Sequence, residues 1–128
     1  MLADAIRQAQ KMHRKAIEAT YDGVCAVYEQ RPCEDPGTYD IVFQEVPVKS
    51  GIPCHLSYSS APSTAAGDTG AAVAQVIKLH LAPEEEILPG SRIEVTQQGK
   101  TESYSRSGQP AVYSSHQEIE LSLFRGYA

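Results

Sequence analysis

After Asp22-Gly23 the spacing of apolar side chains falls from about 3.6 residues to 2 and does not revert. The first spacing lines one face of a helix and the second lines one face of a strand. This one switch therefore divides the chain into a short helical segment and a long β region. Upstream of it, Leu2, Ala5, Ile6, Ala9, Met12, His13, Ala16 and Ile17 fall within an arc of about 140° on a helix spanning Leu2 to Thr20. Arg7, Gln8, Lys11, Arg14, Lys15 and Glu18 fill the opposite side. The apolar stripe is narrow and rich in alanine. A helix of this kind approaches a flat surface closely but is too weakly hydrophobic to stand alone. It has to pack on the β region, on another subunit, or on both.

Downstream, turn signals cut the chain into short alternating runs. Val24 to Tyr28 reads as a first strand, followed by a loop from Gln30 to Thr38 that holds Pro32, Pro36 and Gly37. Tyr39 to Val48 reads as a second strand, which ends at Pro47 or lies at an edge because proline donates nothing to a ladder. Lys49-Ser50-Gly51 then reads as a turn into Ile52 to Tyr58, with Ile52, Cys54, Leu56 and Tyr58 on one face. Val73 to Leu81 alternates clearly. Ala82-Pro83, the acidic run Glu84 to Glu86 and the corner Leu88-Pro89-Gly90 lead into the short strand Arg92 to Thr96. Gln97 to Lys100 is a hairpin loop, Glu102 to Ser105 returns, and Ser107 to Pro110 turns again. The last strand places Ile119, Leu121 and Leu123 inward. The expected fold is mainly β (α+β). It is a small β-barrel of six or seven antiparallel strands, residues 21–128, with the N-terminal amphipathic helix, residues 1–20, in a single domain. Ser59 to Ala72 carries no large apolar anchor and is expected to be a long flexible loop with a functional role.

Charge and composition narrow the function. The segment Met1 to Thr20 holds four basic residues against two acidic ones, a net of +2, so the rest of a chain of net charge -5 carries -7. An acidic surface repels phosphates, which argues against sequence-independent nucleic-acid binding over most of the protein. The basic helix face, Arg7, Lys11, Arg14 and Lys15, is the candidate for an acidic partner. No apolar run approaches the roughly 18 residues that span a bilayer, and the charges through Met1 to Thr20 are unlike a secretory signal, so the expectation is a cytoplasmic protein without a membrane role. Three cysteines, Cys25, Cys33 and Cys54, are expected as free and partly buried thiols.

Catalytic patterns are weak. Cys54 and His55 are adjacent on a strand and face opposite ways, and His13, His55, His80 and His116 show no metal-ligand spacing, so no metal site is expected. No nucleophile elbow, phosphate loop or dinucleotide fingerprint occurs. Gly67-Asp68-Thr69-Gly70 shares the D-[ST]-G pattern of aspartic proteases but lies among alanines and reads as a turn. The carboxylates of Glu84 to Glu86 diverge and read as a solvated turn. The seven tyrosines lack the interleaved arginines and lysines of a base-stacking surface and read as core and interface anchors. The expectation is a protein that is not an enzyme and holds no cofactor.

The segment LHLAPEEEILPGSRIEV, the tyrosine-bearing hairpin return at Tyr104, Gly108-Gln109-Pro110 and Tyr113-Ser114-Ser115-His116 before the last strand together resemble phage head-closure proteins. These are stopper-type head-tail connector subunits of long-tailed phages and prophages. The pattern of the family falls on Leu79 and Leu81, Pro83, Pro89-Gly90, Arg92 to Val95, and Tyr113 to His116, and the likeness covers Tyr21 to the C-terminus. The resemblance implies a ring of small β-barrels in the virion neck, below the portal and adaptor, that closes the DNA exit channel and docks the tail. Its implied partners are the portal and adaptor proteins, the tail terminator and further copies of itself, with packaged DNA passing without sequence-specific contact. It also implies a channel loop, whose counterpart is the 59–72 stretch with Ser60, Ser63, Thr64, Asp68 and Thr69 as its polar residues. A tail-completion or tail-tube component is the alternative in the same setting. A small ligand-binding barrel or enzyme is the alternative of another class.

Overall fold

The computed structural model describes residues 1–62 and 73–127, with the backbone alone at 61, 62 and 73. One helix, α1 (Leu2–Glu18), precedes the strands β1 (Gly23–Glu34), β2 (Ile41–Pro62), β3 (Val73–Leu81), β4 (Arg92–Gln97), β5 (Lys100–Arg106), β6 (Ala111–Val112) and β7 (Gln117–Leu123). Pairing is antiparallel throughout. The hydrogen-bonded order is β3-β2-β1-β4-β5-β7-β6, and β3 also pairs with β7. That last pairing closes six strands into a ring, with the two-residue β6 flanking β7 beside the end of β5. Closure removes the open edges that a six-stranded sheet of this length would otherwise present to other chains.

The alternation of side chains fills the ring. Cys25, Val27, Cys54, Leu79, Leu81, Ile93, Val95 and Ile119 are essentially inaccessible, and Ile87 reaches the same core from the segment between β3 and β4. Each fully buried aliphatic side chain contributes about 1.5–3 kcal/mol of transfer free energy. Gln117 is the polar member of this inward row. Its amide nitrogen donates to the carbonyls of Ala82 (2.8 Å) and Glu85, so it ties β7 to the acidic turn rather than leaving a buried amide unpaired. Leu123, expected inward, is half exposed because β7 has left the closed part of the ring at that point. Tyr58 is exposed for the same reason near the end of β2.

Strand lengths differ from the sequence expectation at three places. Lys49-Ser50-Gly51 is not a turn, since β2 runs through it without interruption. The register with β1 slips twice there, between Cys25↔Ile52 and Val27↔Lys49 and again before Tyr28↔Pro47. Each slip inserts one extra residue in β2, and Gly51 adopts φ 66°, the left-handed conformation that glycine takes without a Cβ clash. β1 likewise does not stop at Tyr28. It continues through Pro32 to Glu34, and the connection to β2 shrinks to residues 35–40. Finally, β2 extends to Pro62 and β3 starts at Val73, with Ser59↔Val76 and Ser60↔Gln75 paired. Ser59 and Ser60 are thus strand residues rather than loop.

Pro47 obeys the edge expectation. β3 pairs with β2 only from Cys54 onward, so the outer side of residues 41–53 has no neighbour among the described residues and the missing N–H costs no ladder bond.

Candidate assembly surface

Besides the paired ends of β2 and β3, Ser59–Pro62 and Val73–Val76, two elements among the described residues leave the ring. The first is a ribbon. β4 accompanies β1 only as far as Tyr28↔Arg92, so Glu29–Glu34 and Ile41–Val46 continue as a two-stranded hairpin. Six residues at strand rise make it about 20 Å long. Its tip is built by Asp35, whose carbonyl accepts from Tyr39 N (2.7 Å), whose amide donates to Asp40 O (2.8 Å) and whose carboxylate accepts from Gly37 N (2.8 Å). Tyr39, Ile41 and Phe43 are 75%, 66% and 66% exposed, and Ile41 and Phe43 share one face by alternation. A two-stranded ribbon of this kind is marginal alone and presents aromatic and β-branched side chains to solvent.

Arg92 fixes the root of the ribbon. Its guanidinium donates to both Glu45 oxygens (2.8 and 3.0 Å), to Glu94 (3.2 Å) and to Ser103 (2.8 Å), and it lies 4.2 Å over the Tyr28 ring. Tyr127 donates its hydroxyl to the same Glu45 at 2.6 Å. One side chain thus joins β1, β2, β4, β5 and, through Glu45, the C-terminus. The hydrogen bonds from Arg92 and then from Tyr127 hold the Glu45 carboxyl below the usual carboxylate range. Burial, followed by the bond to Glu45, pushes the Tyr127 hydroxyl up to about 12.

The second element is α1. None of its residues is buried, and Leu2, Ile6 and Met12 of the apolar stripe are exposed. Only its C-terminal end touches the rest of the chain. Arg14 pairs with Glu18 (2.6 Å) and with Glu84 of the acidic turn, which lowers the Glu84 carboxyl, and Ile17 is half-buried. Of the basic face expected to meet a partner, Arg14 is therefore engaged within the chain, while Arg7, Lys11 and Lys15 are exposed. Of the expected channel loop, Ser60 is an exposed residue of β2, and Ser63, Thr64, Asp68 and Thr69 lie outside the described residues.

Two concave features carry groups of chemical interest. An open cleft of about 750 Å³ is lined by Leu56, Tyr58, Gln97, Lys100, Glu102 and Tyr104, with neighbouring amides and hydroxyls. Burial and then the hydrogen bond to Tyr58 push the Tyr104 hydroxyl up to about 12. No histidine, cysteine or carboxylate pair among the described residues lines this cleft. The thiols lie elsewhere. Cys25 and Cys54 are buried together in the ring and free, and the hydrogen bond with Cys54, followed by burial, keeps the Cys25 thiol well above its ordinary value.

The other feature is a row of histidines that sequence spacing does not reveal. His55 on β2 is the cross-strand partner of His80 on β3, and His80 is the partner of Glu118 on β7. His116 joins the row from just before β7, with ring centroids 5.8 Å from His80 and 5.0 Å from Tyr113. Asp22 accepts from His55 Nδ1 at 2.8 Å, and that bond lowers the Asp22 carboxyl. A small cavity of about 250 Å³ lies against the row, lined also by Ile17, Thr20 and Tyr21.

No family model matches the chain, and no curated protein matches it. Among solved structures the chain is similar to the phage-like element PBSX protein xkdH from Bacillus subtilis, with 13% sequence identity and a TM-score of 0.46, over 78% of this chain and 91% of that one. At this identity and score the likeness is too distant to carry an argument about function.

Proposed function

We propose that the chain is a structural head-tail connector subunit of a tailed phage or prophage. In this reading copies form a ring below the portal and adaptor, close the DNA exit channel and dock the tail. The observation that carries the need for an assembly is the apolar surface left uncovered on α1 and on the ribbon, at Leu2, Ile6, Met12, Ile41 and Phe43. Neither element is long or hydrophobic enough to hold its conformation well without cover. A ring of identical copies supplies that cover repeatedly, so a modest contact on one copy becomes a strong one in the closed assembly. The particular assembly is argued from the resemblance of Leu79 to His116 and the strand after it to phage head-closure proteins. Its residues fall on the frame of the ring: Leu79 and Leu81 in β3, Pro89-Gly90 before β4, and Arg92 at the root of the ribbon.

The chemistry is mechanical rather than catalytic. The ring is the rigid part, filled by aliphatic side chains, and α1 and the ribbon are the parts that reach neighbours. The acidic net charge of the β region suits a passage along which DNA slides without adhering.

The test is genetic and morphological. Particles assembled without this chain should have filled heads that leak DNA and carry no tails. Particles supplied with a chain whose 63–72 segment is replaced by a short glycine-serine linker should contain the protein at the neck yet still leak. Normal, tailed and DNA-tight particles in the absence of the chain would contradict the proposal. Stable tail tubes of the wrong length with intact heads would favour a tail-completion component instead.

A further inference from the structure

We propose that His80, His116 and Glu118 form a binding site for one divalent transition-metal ion of the zinc class, which clips β3 to β7 where the ring closes. Strand register assembles the donors. His80 and Glu118 are direct partners across the β3–β7 ladder, so their side chains stand on the same outer face. His116 precedes Glu118 by two residues and shares that face. One ligand atom from each of the three lies within 4.8 Å of the other two, and His116 Nε2 is 3.1 Å from Glu118 Oε2. Donors at tetrahedral zinc distances sit about 3.3–3.5 Å apart, so the set needs only side-chain rotation to close on an ion.

The surroundings match what ligating histidines require. A histidine on a metal uses one ring nitrogen and has the other held by a fixed partner, which sets its tautomer. Here the buried Ser115 holds His116 Nδ1 at 2.9 Å, leaving Nε2 toward Glu118. Ser57 holds His80 Nε2 at 2.8 Å, leaving the other nitrogen of that ring. Glu118 divides its carboxylate, with Oε1 at 3.9 Å from Lys78 Nζ and Oε2 on the His116 side. Two imidazoles and one carboxylate suit zinc, cobalt or nickel rather than magnesium or calcium, which take oxygen donors. Three protein ligands leave a fourth position. The adjacent cavity is lined by Tyr21, whose hydroxyl is enclosed and has no hydrogen-bond partner among the described residues. A metal-bound water in that cavity gives this hydroxyl a partner.

The proposal is tested on the full chain, freed of any affinity tag and stripped with a chelator, then titrated with Co2+ and afterwards Zn2+. The expected result is one ion per chain, the intense visible absorption of four-coordinate Co2+, its loss on adding Zn2+, and a higher Tm with Zn2+ bound. His80→Gln, His116→Gln and Glu118→Gln should each weaken binding by about tenfold or more. His13→Gln, on the exposed helix, should change nothing. All three donors lie outside the core, and circular dichroism of the stripped variants checks that each still folds. If His116→Gln disturbs Ser115 enough to unfold the chain, His80→Gln decides alone. Absence of saturable binding, or binding that survives His80→Gln in a folded chain, overturns the proposal.

Discussion

Arg92 and Gly23 show how much of the structure rests on single side chains, or on the lack of one. Removing the Arg92 guanidinium strips Glu45, Glu94, Ser103 and the Tyr28 ring of their common partner at a site only 17% exposed. Arg92→Ala should destabilise the fold by about 1–3 kcal/mol in denaturant unfolding. Arg92→Lys should recover only part of this, because an ammonium cannot engage both Glu45 oxygens as a planar fork. Glu45 reports the same contact. Its folded-state pKa is depressed, so its contribution is present above the ordinary carboxylate value and is lost as pH falls through the lower folded value. Glu45 is largely exposed, so this effect is small, below about 1 kcal/mol. A carboxyl titration by NMR should show Glu45 titrating low in the native chain and closer to its ordinary value in Arg92→Ala, where only the Tyr127 bond still lowers it. Gly23 works by absence: a Cβ there would meet the carbonyl oxygens of Cys54 and Thr96 at 3.1 and 3.2 Å and Gln97 Oε1 at 3.0 Å. Gly23→Ala should cost about 1–3 kcal/mol, read from the unfolding midpoint, since two of those atoms are backbone and cannot swing away.

The elements differ in how far the sequence discloses them. The closed strands are legible because one face of each meets the core and the other solvent, which leaves a regular period: Leu79 and Leu81 against Lys78 and His80 is the clear case, while α1 is legible from its own apolar stripe although none of it is buried. Only half of the ribbon is: Tyr39 to Val48 reads as a strand, whereas Glu29 to Glu34 is open on both faces and carries no alternation. Pro32 and Pro36 then read as loop residues, although Pro32 sits in β1 opposite Phe43. Gly51 reads as a turn because a glycine with positive φ serves a bulge as well as a hairpin. The histidine row needs the register of three strands, which no local spacing encodes. The ribbon also yields a sharp expectation. Ile41→Ser together with Phe43→Ser should leave unfolding free energy within about 0.5 kcal/mol of the parent, because these side chains are already exposed. Under the proposed function, the same change should abolish incorporation into particles, scored by counting the chain per purified virion. Removing Leu2–Glu18 should act alike on incorporation, with a modest loss of stability from the Arg14–Glu84 contact.

At the scale of the molecule, a small filled ring carries two projections whose apolar surface has no partner among the described residues. The ring explains rigidity, the projections explain the need for neighbours, and the proposed ion would lock the pair that completes the circle. The mass of the folded chain in solution, alone and mixed with the portal and adaptor of the same particle, tests this most directly. The account predicts a defined ring-sized complex in the mixture, lost when Ile41 and Phe43 are both changed to serine. A chain that stays monomeric in every mixture, with or without those substitutions, would contradict it.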